Sequence, residues 1–219
     1  MVLAALAPSA AQAGLLDRFA VGLRFGTLLS QKGNYNSSAT LSRTVLPGAG
    51  WGFSLRYRIT NSLFIDGGFS YNWMYFRKET RPAAWVDHKP AFIAPLYSLN
   101  LTYHLPAVRG VSPFVTAGCG VCPWWFSSAV FGGEMWMAPA DRKEQFTDVS
   151  RQVNAGLGIE IPIGSKLAVQ GEARYHHVLV GHVARFGAFG DQDLLGVQVG
   201  VTFYFGGRSA KKRAGDGTP

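Results

Sequence analysis

Strict alternation of residue type is the feature that most narrows what this chain can become. From Leu195 to Phe205, the residues Leu195, Val197, Val199, Val201, Phe203 and Phe205 alternate with Gly196, Gln198, Gly200, Thr202 and Tyr204. Successive side chains of a β-strand point to opposite faces, so one face here is wholly apolar and the other small or polar. The same period of two runs through residues 19–25, 51–59, 63–75, 93–103, 115–125, 153–161 and 167–175. Together these predict about eight strands, and no stretch carries a convincing helical period.

Where the apolar face points decides between two kinds of barrel. A soluble ligand-binding barrel turns its large apolar side chains inward. Here the second face carries Gly22, Gly52, Gly68, Gly118, Gly120, Gly156, Gly158, Gly196 and Gly200 among Arg, Glu, Asp, Asn and Gln. Small and charged residues suit a narrow polar lumen, and the continuous apolar face then needs lipid. With 47% hydrophobic residues, only 16% charged residues and a mean hydropathy of +0.08, the chain is neither disordered nor highly soluble. Charged and polar residues interrupt every apolar stretch before it reaches the roughly 18–20 residues of a transmembrane helix, so a membrane can be crossed only by strands.

Connection lengths alternate. Thr60-Asn61-Ser62, residues 105–112 and residues 162–166 are short; residues 31–48, 76–90, 127–148 and 176–193 are long. Outer-membrane barrels have short periplasmic turns and long extracellular loops, which predicts an all-β, antiparallel up-and-down transmembrane barrel with both termini periplasmic. Residues 1–13 are apolar and end in Ala11-Gln12-Ala13, a small-residue cleavage site, and are expected to be a removed signal peptide. No positive charge precedes Val2, as expected if translation starts further upstream. Residues 14–206 would form the barrel, and residues 207–219 a disordered basic periplasmic tail. Aromatic residues of the apolar face gather at strand ends, as headgroup anchors do: Phe25, Trp51, Tyr71, Trp73, Trp125 and Tyr175 at one end, Phe19, Tyr57, Tyr103, Phe203 and Phe205 at the other.

The last strand, residues 198–205 with Gln198, Gly200, Phe203 and Phe205, is similar to an assembly signal of the form polar, any, Gly, any, any, aromatic, any, aromatic. Residues 153–160 and 167–175 likewise resemble a hairpin of the same family. That family is the small eight-stranded outer-membrane barrels typified by the OmpA transmembrane domain, OmpX and the opacity-type surface proteins. The resemblance implies that Gln198, Gly200, Phe203 and Phe205 are read by the barrel-assembly machinery. Family members often stop at the final aromatic residue, whereas this chain continues through Lys211, Lys212 and Arg213.

Strand parity points Arg24, Arg56, Arg58, Asp66, Glu160, Glu172 and Arg174 into the lumen. A turn centred on Asn61 sets Arg56 opposite Asp66, a cross-strand ion pair. In a barrel of about eight strands such side chains fill the interior and neutralise one another, or else line a narrow path for small ions or apolar solutes. A lipid-A-modifying enzyme is a third reading, with His176 or His177, Ser127 or Ser128 and Asp148 or Glu144 as candidates. The His-x-Ser pair of lipid-A deacylases is missing after His88, His104, His176, His177 and His182. His176 and His177 face opposite ways on a strand, which argues against a shared metal; no metal and no cofactor is expected. Cys119 and Cys122, three apart, also face opposite ways and cannot form an unstrained disulfide. The net charge of +8 is better matched to lipopolysaccharide phosphates, through Arg43, Arg77, Lys78, Arg81, Arg142 and Lys143, than to nucleic acid.

The loops are unusually apolar. Trp85, Phe131, Met135, Trp136 and Met137 would form an exposed patch for an envelope partner, or would fold over the mouth and bury one another. The function expected is therefore a non-enzymatic outer-membrane barrel with a side-chain-plugged lumen, acting in envelope structure or surface interaction. If the last strand is the assembly signal, Phe205→Ala lowers the amount of barrel reaching the outer membrane in a fractionation and surface-labelling assay. Unchanged surface levels would show the match to be a resemblance only.

Overall fold

The structure is a computed structural model that describes residues 16–81, 88–131, 133–135, 145–181 and 186–206. Among the described residues nine strands are present: β1 Phe19–Lys32, β2 Ala49–Arg58, β3 Leu63–Tyr75, β4 Ala91–Ile93, β5 Leu96–His104, β6 Ser112–Ser127, β7 Thr147–Ile163, β8 Leu167–Leu179 and β9 Gln192–Tyr204. All pairings are antiparallel, and β1 pairs with both β2 and β9, so the sheet closes on itself. Closure leaves no edge strand, which is what allows a sheet to stand in lipid.

Nine strands make an eight-strand circumference because β4 and β5 occupy one position in the wall. Both lie between β3 and β6, β4 at the long-loop end and β5 below it. The break falls at Ala94-Pro95, where proline has no N–H to give the ladder. The wall is mended by a side chain: Asn72 Nδ2 donates to the Ala94 carbonyl at 3.2 Å.

Parity holds along most of the wall. The buried strand residues are even-numbered, from Ala20 and Arg24 on β1 to Thr202 and Tyr204 on β9, while the exposed apolar residues are odd-numbered, such as Leu23, Phe53, Leu99, Leu157 and Val199; at the long-loop end Ala91 and Ile93 of β4 and Ser127 of β6 are buried as well. Constant parity follows from tight, bulge-poor pairing; the one irregularity of β1 against β9 lies between Ser30 and Lys32. Curvature is sharp where glycine faces inward. A Cβ on Gly120 would stand 1.8 Å from the Tyr97 carbonyl oxygen, so no other residue fits there.

Two expectations need correction. The strands run further towards the long loops than the alternation suggests: β1 continues to Lys32, β6 to Ser127 and β8 to Leu179, and β7 begins at Thr147. The inward face is also not small or polar throughout. At the long-loop end it becomes aromatic, with Met74, Phe92, Trp124, Phe126 and Leu194 fully buried. The apolar period is lost to inspection there because both faces of the strand are apolar.

The expected signal peptide and tail, and Trp85, Trp136 and Met137, lie outside the described residues. Among the described residues no helix is long and apolar enough to cross a membrane. Val199 is 62% exposed on the outer face, whereas neighbouring Gln198 turns inward and donates to Glu172 at 3.3 Å. Val199→Arg therefore destabilises the barrel by about 2–4 kcal/mol if it sits near the bilayer midplane, measured by reversible unfolding from lipid vesicles. Gln198→Ala is milder. Equal cost for arginine at positions 198 and 199 would contradict the assigned faces.

Candidate functional site: the lumen and its mouth

From the short-turn end upward, the first thing in the lumen is a charge cluster. Register places Arg56 of β2 directly opposite Asp66 of β3, and their Nε–Oδ1 distance is 2.6 Å. Arg56 Nη1 also reaches across the barrel to Glu160 Oε2 on β7 and Tyr204 Oη on β9, each at 2.9 Å. The Tyr204 hydroxyl donates to Glu160 at 2.8 Å, and the Thr102 hydroxyl donates to Asp66 Oδ2. The Arg56 guanidinium lies over the Phe64 ring, 5.3 Å from its centroid. One arginine thus ties four walls of the barrel together, and each of these charges is all but excluded from water.

A second cluster sits higher and is centred on Glu172 of β8. Arg174 donates to it through Nε at 2.6 Å, Arg24 of β1 through Nη1 at 3.2 Å, and Gln198 of β9 at 3.3 Å. The lower cluster holds one cation and two anions, the upper two cations and one anion. Their sum is neutral, which is how six buried charges can coexist in one lumen. Arg58 has the same parity but lies at the rim, only half buried, where its Nη2 donates to the Asp17 carbonyl at 2.8 Å.

Above Glu172 a cavity of about 40 Å³ remains, lined by Arg24, Ser70, Asn72, Arg174, His176 and Gln198 among others. Room of that size and polarity suits about three waters. His176 Nδ1 lies 2.8 Å from Gln152 Oε1, and Gln152 Nε2 donates to the Tyr97 carbonyl at 3.1 Å. Gln152 reaches that far because Gly120, its partner on the strand between, has no side chain.

Rings pack together at the mouth. Trp124 and Phe126 of β6, Phe92 of β4, and Phe146, Phe186 and Phe189 of the loops pack with centroids 4.7–6.4 Å apart. The Trp124 indole N–H donates to Ser150 Oγ at 2.8 Å, so its one polar atom is satisfied. A single helical turn, α1 Leu41–Thr44, adds Leu41 to the same cluster, and Tyr35 packs against it from the side. This plug went unrecognised in the sequence, although following the even positions 74, 92, 122, 124, 126 and 194 up the strands would have found it.

The other sequence candidates are scattered. Cys119 is exposed on the outer face, Cys122 is buried on the inner one, and both are free thiols. Ser127 Oγ and Ser128 Oγ accept from the backbone N–H groups of Ala129 and Glu134, within the turn after β6. His176 is bonded to Gln152 in the lumen, while His177 faces outward and pairs with Asp193 at 2.6 Å. Glu144, His182, Arg142 and Lys143 lie outside the described residues. Among the described residues no group of three or more His, Cys, Asp or Glu could hold a metal ion.

Of the loop candidates, Phe131 is 71% exposed and stacks on Tyr71 of the outer wall, with centroids 5.7 Å apart and planes 12° apart. Met135 is also exposed and bridges to Ser127. Neither is buried in the mouth; the described loop residues that pack there include Leu41, Phe76, Phe146, Phe186 and Phe189.

Among solved structures the barrel is similar to Neisserial surface protein A, with a TM-score of 0.57, 15% identity and coverage of 85% of this chain and 96% of that one. Ail, the attachment invasion locus protein of Yersinia pestis, gives a TM-score of 0.49 at 10% identity over 84% of this chain and 96% of that one. OprG from Pseudomonas aeruginosa gives 0.49 at 12% identity over 84% and 94%. At such identities the likeness concerns the fold alone. No curated protein matches the sequence. Residues 1–205, however, match the family model described as outer membrane protein beta-barrel domain. A closed, lipid-facing barrel matched by that model along nearly its whole length is a bacterial outer-membrane protein, and the chain belongs to the outer membrane protein beta-barrel domain family.

Proposed function

We propose that this outer-membrane barrel neither conducts nor catalyses, and that it serves envelope structure or surface interaction through the long-loop end. The observation that supports the reading is side-chain packing across the lumen at two separate levels. The Arg56–Asp66–Glu160–Tyr204 cluster spans the interior below, and the Trp124–Phe126–Phe92 cluster with its loop phenylalanines fills the mouth. In this reading the short turns and both termini are periplasmic, the barrel-assembly machinery reads Gln198, Gly200, Phe203 and Phe205, and the loops meet the exterior. Phe131 and Met135 are the exposed apolar loop residues available to an envelope partner, and the loop cations Arg43, Arg77, Lys78 and Arg81 suit lipopolysaccharide phosphates. Among the described residues His176, His177, Ser127 and Ser128 are scattered and share no hydrogen bond with one another, which supports a reading without catalysis.

A narrow channel is the second reading, favoured by the polar cavity between the two plugs. Planar-bilayer recording of the purified barrel separates them. Closure predicts no reproducible open level for the wild type; discrete levels altered by Arg24→Ala or Arg174→Ala would overturn it. Mass analysis of lipid A after incubation with the barrel should show no change, and any deacylated or newly acylated species would restore the enzyme reading. The lower cluster also bears on stability. Arg56→Ala leaves Asp66 and Glu160 buried without their cation and should cost about 3–5 kcal/mol in vesicle unfolding, whereas loss below about 1 kcal/mol would mean the cluster is hydrated.

A further inference from the structure

The outer wall carries one row of polar groups that the lumen argument does not use. On β8, β9 and β1 the residues His177, Asp193 and Lys32 are successive cross-strand partners, and all face outward. His177 Nδ1 meets Asp193 Oδ1 at 2.6 Å; a carboxylate only accepts, so Nδ1 holds the proton and Nε2 is left facing away. Tyr175, two residues below His177 on β8, is exposed on the same face. On the other side of β8, Arg151 of β7 stands opposite Leu179, one diagonal step from His177. Lys32 and Arg151 are exposed, so the row holds two cations against one anion before His177 is counted. Its neighbours on the same surface are apolar: Val149, Val153 and Leu179 are all exposed. Fixed positive charge on a lipid-facing wall is costly unless an anion meets it.

Beyond Tyr175 the same face of β8 opens a trough one strand wide. Its floor is Ala173 and Gly171 of β8. Leu157 and Val197 are the cross-strand partners of Ala173, and Ile159 and Val199 those of Gly171. All four flanking side chains are well exposed and stand up as walls. A Cβ on Gly171 would meet nothing within 4 Å, so packing does not demand glycine there. The missing side chain leaves a notch that the protein itself does not fill. From His177 to Gly171 the strand runs about 20 Å, comparable to the depth from headgroup level to the middle of a bilayer about 30 Å thick.

We propose that this face seats one phosphate-bearing acyl lipid, its phosphate held by Lys32, His177 and Arg151 and one chain lying in the trough over Ala173 and Gly171. The cations and the imidazole supply the anion site on rigid strands, and the trough supplies the chain contact that a free phosphate lacks. The seat requires the barrel to lie in a membrane, and is independent of whether the lumen conducts.

Native mass spectrometry of the full chain released from detergent tests this, with phosphatidylglycerol and inorganic phosphate as separate probes. The wild type should retain one phosphatidylglycerol and no inorganic phosphate. Lys32→Gln with Arg151→Gln should reduce lipid occupancy by about tenfold or more, since each cation near a lipid surface contributes on that scale. Gly171→Leu, and separately Ala173→Leu, should reduce it several-fold by filling the trough, with heat-modifiable folding unchanged. Occupancy unaffected by the paired charge variant would overturn the headgroup site. Occupancy unaffected by both leucine variants in folded barrel would overturn the chain seat, and inorganic phosphate retained as well as the lipid would overturn the assignment to a lipid.

Discussion

Everything in this molecule depends on the pairing of β1 with β9. A backbone in hydrocarbon cannot leave N–H and C=O groups to water, so a sheet is tolerated there only when its first and last strands meet. Here they meet over most of their length, from Ala20 opposite Tyr204 to Lys32 opposite Asp193. Because closure fixes which face is inside, it converts the alternation of the strands into two environments. Odd positions solvate in lipid, and even positions must solve the problem of a narrow interior.

That interior is solved twice, by different chemistry. Near the short turns the solution is electrostatic: Arg56 is shared by Asp66, Glu160 and Tyr204, and Glu172 is shared by Arg24, Arg174 and Gln198. Near the long loops it is dispersive, with Trp124 and Phe126 as the centre of a ring cluster completed by residues from four loops. The two arrangements answer different demands. Charges in the lumen cross-link strands that are far apart in sequence, while the rings tie the loops to the barrel. A small polar cavity is what remains where one solution gives way to the other.

The outer surface is not uniform either. Aromatic residues crowd β2, β3 and β5, where Trp51, Phe53, Phe69, Tyr71 and Tyr97 pack with ring centroids 5.0–6.4 Å apart, while β7, β8 and β9 present mainly aliphatic groups beside Tyr175 and Phe203, and the polar row at His177 and Asp193. Lipid therefore meets a rough aromatic side and a smoother side notched at Gly171.

Much of this was written in the sequence because β-structure has a period of two and membranes reward it. The alternation of Leu195 through Phe205 identified a wall with a lipid face and a lumen face, the short and long connections identified an up-and-down meander, and the turn at Asn61 put Arg56 opposite Asp66. These are local consequences of strand geometry. Only the closed structure decided which charges share which partner, since Arg56 and Glu160 are brought together by curvature across the lumen and by no spacing in the chain. It alone decided that Trp124, Phe126 and Phe92 face inward to meet Phe146, Phe186 and Phe189, because at the mouth both strand faces are apolar and the period carries no sign. And it alone set Lys32, Asp193 and His177 in one row, residues from three strands whose common level follows from the register in which the barrel closes.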